Sequence, residues 1–160
     1  MKQKYMMGLL GIVLMVVIGA VLIMVRSGAA QQPADPSNAA TDPQRLMIPR
    51  WFLNDLTLDG QSVEIPADQQ SITIQFTQDG NANGKGGCNQ FSGSFTASPD
   101  GKMSFGPLMA TEMACENMMA QESAYFSALD KVSQFHVEGG QLTLSSADGK
   151  TSLVYRMPPK

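Results

Sequence analysis

Few residues in this chain could do covalent chemistry. Cys88 and Cys115 are the only thiols and His136 is the only imidazole. A Ser/His/Asp or Cys/His site would have to use His136, which falls at the start of a predicted strand with no nucleophile elbow nearby. Thiol redox catalysis usually uses a close pair such as Cys-x-x-Cys, whereas these two cysteines lie far apart. Three readings stay open for them: one disulfide, two buried thiols acting as small hydrophobes, or a redox pair. Asp79-Gly80-Asn81-Ala82-Asn83-Gly84 matches the first half of a calcium loop. Its twelfth position is Gln90, not the bidentate glutamate, so a turn leading into a strand is expected instead. Gly80, Gly84 and Lys85 do not make a phosphate loop, because three residues separate the glycines and Gly86 follows the lysine. Met103, Met109, Met113, Met118 and Met119 cluster around Cys115. Soft sulfur suits Cu(I), but methionine more often fills irregular gaps between a helix and a curved sheet, and that role is expected here. Glu112, Glu116 and Glu122 are explained as charges near a helix start. No catalytic constellation, cofactor site or metal site is expected.

The elements that must position these residues begin with an apolar run. Met6 to Val25 carries no charge and has about the 20 residues that a helix needs to cross a bilayer. Lys2 and Lys4 precede it, which favours the N-terminus inside and the rest outside, against the single Arg26 that follows. Residues 1–30 therefore read as an uncleaved transmembrane anchor, with a cleaved signal peptide ending near Ala30 as the rival. Either way the remaining chain is exported, and an oxidising compartment favours a Cys88–Cys115 bridge. Such a bridge would close a loop of roughly 27 residues and contribute about 3–4 kcal/mol through chain entropy. Residues 31–49, with Pro33, Pro36, Pro43 and Pro49 among Ala, Gln, Asn and Asp, read as a flexible linker. Residues 50–157 form the globular domain. From residue 50 onward seven Lys/Arg stand against twelve Asp/Glu, a net charge of −5, so nucleic acid is not an expected partner.

Within the domain the segments are short and mostly β. Ile72 to Phe76 and Phe91 to Ala97 alternate apolar and polar residues. Residues 79–87 read as a Gly/Asn loop. Ser98-Pro99-Asp100-Gly101 turns the chain into Lys102–Phe105. Met118, Met119, Glu122, Tyr125, Phe126, Leu129 and Val132 recur at helical spacing and predict an amphipathic helix between residues 116 and 135. Gly139-Gly140 and Asp148-Gly149 mark two closing hairpins. The expected fold is mainly β (α+β): a small antiparallel, partly closed, barrel-like sheet with one α-helix packed on it.

The chain resembles the META-domain family, the HslJ-like heat-shock group (DUF306 type). The resemblance rests on Gly87-Cys88-Asn89-Gln90-Phe91-Ser92-Gly93-Ser94-Phe95 and Thr111-Glu112-Met113-Ala114-Cys115. Gly106 to Ala110, Glu122 with Tyr125, Ala128 and Leu129, and Val137 to Leu144 extend it. The motif positions are Gly87, Cys88, Asn89, Phe91, Gly93, Thr111, Met113, Ala114 and Cys115. Gln90 stands where the family commonly has arginine, and Glu116 where it commonly has proline. The resemblance implies a small bacterial envelope domain associated with stress tolerance, with no established catalytic activity. The expected function is non-enzymatic: binding of envelope proteins, or of a small apolar ligand, on the periplasmic side of the membrane. The alternatives are a thiol-redox enzyme using Cys88 and Cys115, and an accessory subunit of a membrane assembly. From the residues alone, Asn89 is expected to satisfy backbone groups where its loop enters a strand.

Overall fold

Alternation of apolar and polar residues builds the sheet, and one irregularity shows how closely it is enforced. The computed structural model describes residues 39–48, 50–65 and 72–158. Strand β1 (Trp51–Leu58) buries Trp51 and Leu53, then Leu56. Two-residue alternation would bury position 55 instead. A β-bulge between Leu53 and Asp55 inserts one residue, leaves Asn54 and Asp55 exposed and returns Leu56 to the core.

The remaining strands are β2 (Gln61–Val63), β3 (Thr73–Phe76), β4 (Asn81–Lys85), β5 (Gln90–Ala97), β6 (Met103–Phe105), β7 (Met109–Ala110), β8 (Gln134–Glu138), β9 (Gln141–Ser145) and β10 (Ser152–Arg156). They form one antiparallel sheet in the order β6-β5-β4-β3-β1-β10-β9-β8, with β2 added to β1 and β7 to β5. The two ends of that path meet. The Met103 N–H donates to Ser133 O at 3.0 Å, the Phe135 N–H donates to Gly101 O at 2.8 Å, and Lys102 bridges to Gln134. Curling the sheet onto itself removes most of its open edge and yields a nearly closed barrel. Its interior is filled by Trp51, Ile74, Leu142, Leu144, Leu153 and Tyr155, all fully buried. Each such side chain stabilises the fold by about 1.5–3 kcal/mol relative to exposure.

The helix α1 (Met119–Asp130) follows in chain order between β7 and β8. It is shorter than the segment its periodicity predicted. Asn117, at φ 63°, and the tied-down segment before it delay the start, and the chain must re-enter the sheet at Gln134. Its inward face also differs from an apolar stripe. Tyr125, Ala128 and Leu129 are buried beside the polar Gln121 and Glu122, while Met119 is 48% exposed.

Two further expectations change. Residues 81–85 are a strand, paired with β3 on one side and β5 on the other. Asn and Gly have low strand propensity, and two flanking ladders override it. Part of the segment read as a linker, residues 40–46, is packed on the domain. Pro43–Leu46 forms a 3₁₀ turn, Leu46 is fully buried, the Trp51 indole donates to Leu46 O at 3.0 Å, and the Val137 N–H donates to Ala40 O at 2.7 Å. The hairpins at Gly139-Gly140 and Asp148-Gly149 stand where expected. The proposed anchor, residues 6–25, lies outside the described residues. Among those described, no helix is long and apolar enough to cross a membrane.

Candidate functional site

The motif segments converge at the start of β5. The chain leaves β4 through Gly86-Gly87, where Gly87 takes φ +125°, a conformation L side chains rarely adopt. That turn points the Cys88 and Asn89 N–H groups the same way. Both donate to Oε1 of Glu122 on α1, at 3.2 and 2.6 Å, and the Asn89 amide Nδ2 donates to Oε2 at 2.6 Å. Glu122 is 4% exposed, and no cation pairs with it among the described residues. Its neighbours are three N–H donors, the complement a buried carboxylate needs.

Asn89 uses its whole amide. Nδ2 also donates to Met113 O at 3.2 Å, and Oδ1 accepts from the Met113 N–H at 2.8 Å and the Thr111 hydroxyl at 2.7 Å. The expectation that Asn89 satisfies backbone groups at the strand entry therefore holds, and the groups belong largely to the second motif. Cys88 and Cys115 form a disulfide with Cα atoms 6.1 Å apart, in place of two separate buried thiols. Phe91 packs its ring on Tyr125 and Phe126, with centroids 5.8 and 5.5 Å apart. Gly93 lies under Pro107 and Leu108, where an added Cβ would come within 2.7 Å of Pro107 O. Thr111 adds an N–H bond to Gln90 O at 3.0 Å. Met113 contributes its backbone to the knot and leaves its side chain 52% exposed, and Ala114 is exposed.

The motif is thus a clasp joining β5, the segment 111–118 and α1. Sequence reasoning gave Glu122 a helix-dipole role. Its burial was signalled only by its place on the inward helical stripe. The other candidates disperse. Asp79 accepts from Thr77 and from Asn81 Nδ2 (2.8 Å), which holds its carboxyl below the usual range, Thr77 contributing most. Asn81 and Asn83 lie on β4. His136 is exposed on β8, 3.3 Å from Glu138 Oε2. Among the described residues no group of His, Cys, Asp and Glu is gathered to hold a metal.

Beside the clasp runs an apolar depression. A groove of about 580 Å³ is lined by Phe105, Leu108, Ala110, Phe126 and Asp130, among others. A second, of about 330 Å³, is lined by Met113, Ala114, Met119, Phe126, Glu112 and Glu122, among others. Phe126 belongs to both. Of the clustered methionines only Met103 fills the core, at 4% exposure. Met109 is 73% exposed and, with Met113 and Met119, faces solvent, against the expectation of gap-filling. Every charged residue lining the two grooves is acidic.

A family model described as the META domain matches residues 44–158. A structure titled "NMR structure of the protein from Burkholderia xenovorans" is 32% identical, covers 77% of this chain and 89% of its own, and superposes with a TM-score of 0.60. A second NMR structure is 27% identical over 72% of this chain and 93% of its own, with a TM-score of 0.55. A crystal structure of a DUF4847 family protein from Bacteroides vulgatus covers 73% of this chain and 97% of its own, with a TM-score of 0.54. At 13% identity it speaks for the fold alone. No curated protein matches significantly.

Proposed function

We propose, from the premise that this chain belongs to the META-domain family, that it is a non-enzymatic envelope domain which holds an apolar, positively charged segment of another envelope polypeptide. The single observation that carries this reading is that exposed Met113 and Met119 line one of two grooves that share Phe126, while exposed Met109 stands in sequence between Leu108 and Ala110, which line the other. Unbranched, polarizable methionines adapt to varied apolar partners. Isolated exposed hydrophobes are ordinary, whereas a set of them bordering grooves marks an interaction surface. Glu112 and Asp130 line the grooves without a lysine or arginine, so a basic segment complements them.

The clasp supports this role without chemistry. It fixes the segment that carries Met113 against α1, and a preformed surface loses less entropy on binding than a loose one. Residues 6–25 would anchor the domain on the periplasmic side, and an HslJ-like role in stress tolerance or protein stability follows from holding partly unfolded neighbours. The test compares the intact membrane-embedded chain with a Met109→Ser/Met113→Ser/Met119→Ser variant, each crosslinked chemically and purified with its neighbours. A discrete partner recovered with the native chain and lost from the folded variant supports the reading. Equal recovery from both refutes it.

A further inference from the structure

A second concavity lies on the sheet itself, separate from the methionine grooves. It measures about 480 Å³, within the ~300–1,000 Å³ of small-molecule sites. Arg50, Phe52, Gln75, Asn83, Lys85 and Gln90 are among the residues that line it. Strand register assembles most of them. Phe52 pairs with Thr73, Thr73 with Lys85, and Lys85 with Gln90, making one row across four strands, while Gln75 pairs with Asn83 in the next row. Phe52, Thr73, Gln75, Asn83, Lys85 and Gln90 alternate with the core-facing Trp51, Ile74, Ala82 and Phe91, so their side chains stand on the face turned away from the core.

The charge here is opposite to that of the domain. Two cations and no carboxylate line the concavity, although acidic residues outnumber basic ones from residue 50 onward. Among the described residues, the side chains of Arg50, Gln75, Asn83, Lys85 and Gln90 make no hydrogen bond or ion pair with one another or with neighbours. Five polar side chains therefore converge with their bonding capacity unspent.

We infer that this concavity binds an acidic saccharide. Arg50 and Lys85 supply the charge and N–H donors that a uronate carboxylate takes. Gln75, Asn83 and Gln90 each offer a donor and an acceptor, the complement of vicinal hydroxyls. Phe52, at the end of the row, offers an apolar ring for the C–H face of a sugar. The site is independent of the groove described above, and either can stand without the other.

Calorimetric titration of the full-length chain in detergent with trigalacturonate, and separately with neutral maltotriose, tests it. Trigalacturonate binds, maltotriose binds at least about tenfold more weakly, and Lys85→Gln and Arg50→Gln each weaken trigalacturonate by about tenfold, as loss of one charge-assisted contact implies. Thermal unfolding of each variant verifies that the fold is kept. Should Lys85→Gln lower the unfolding temperature, Arg50→Gln decides the matter, because Arg50 precedes β1 and joins no strand. No binding of trigalacturonate at up to about 10 mM (a free energy of only ~3 kcal/mol) overturns the inference. So do equal binding of the two sugars, unchanged affinity in folded variants, and binding only to phosphatidylglycerol vesicles.

Discussion

Glu122 is the residue on which the clasp turns, because its two oxygens take three N–H donors from the β5 entry. Glu122→Gln puts an NH₂ where an acceptor is required, facing either the paired backbone N–H groups or the Asn89 amide. It should cost about 2–3 kcal/mol in urea unfolding, since an unsatisfied buried donor carries its full desolvation penalty. Asn89→Asp places a second carboxyl against the first. Two adjacent carboxyls cannot both ionise cheaply, so one holds its proton above its unfolded range. A raised folded-state pKa gives stability that is present at low pH and lost as pH rises through it. Unfolding of Asn89→Asp followed from pH 7 to 4 should therefore show the variant recovering relative to the native chain as acid is added. The amide's role at a strand entry was legible from sequence, because a polar residue between Cys88 and Phe91 has to find partners. Glu122 as that partner was not, because an acidic residue in the first turns of a helix is already explained by the dipole.

At the level of elements, the disulfide and the helix seat make separate claims. Reducing the bridge, or replacing both cysteines by serine, releases a loop that spans a sequence separation of 27 and should lower stability by about 3–4 kcal/mol with the barrel intact. Urea unfolding with and without reductant measures this. On the same inward face of α1, Tyr125 meets Tyr155 of β10, hydroxyl to hydroxyl at 3.1 Å, both fully buried. Burial raises the pKa of each phenol, and for Tyr155 its neighbour Tyr125 raises it further. Raised folded values mean full stability below the unfolded tyrosine pKa of about 10 and progressive loss above it. Circular dichroism from pH 9 to 12 should show unfolding set in there, and Tyr125→Phe/Tyr155→Phe should shift the onset to higher pH. The strands with clean alternation and the glycine hairpins were readable from sequence, since period two and turn chemistry are local. Strand β4 was not: Asn81-Ala82-Asn83-Gly84-Lys85 has the composition of a loop, and only its two neighbours make it a strand.

For the whole molecule, barrel closure is a long-range event that no local pattern announces. The joining of β6 to β8 and the packing of Ala40 to Leu46 upstream of Arg50 both rest on contacts between distant segments. Antiparallel β architecture with a helix between β7 and β8 was readable because element types follow from periodicity. The exposed methionines were not, because sequence does not tell a core methionine from a surface one. Export is the premise behind the anchored, periplasmic reading. A reporter that is active only outside the cytosol, fused after Lys160, should be active, and the cysteines of the native chain should resist alkylation until reductant is added. The claim that this domain works by holding a polypeptide in its methionine-lined groove is tested most directly by a photocrosslinking amino acid placed at Met113, with the exposed Glu138 on β8 as the control position. Irradiation of intact cells should give a discrete adduct from Met113 and none from Glu138. No adduct from Met113, or the same adducts from both positions, would contradict the account.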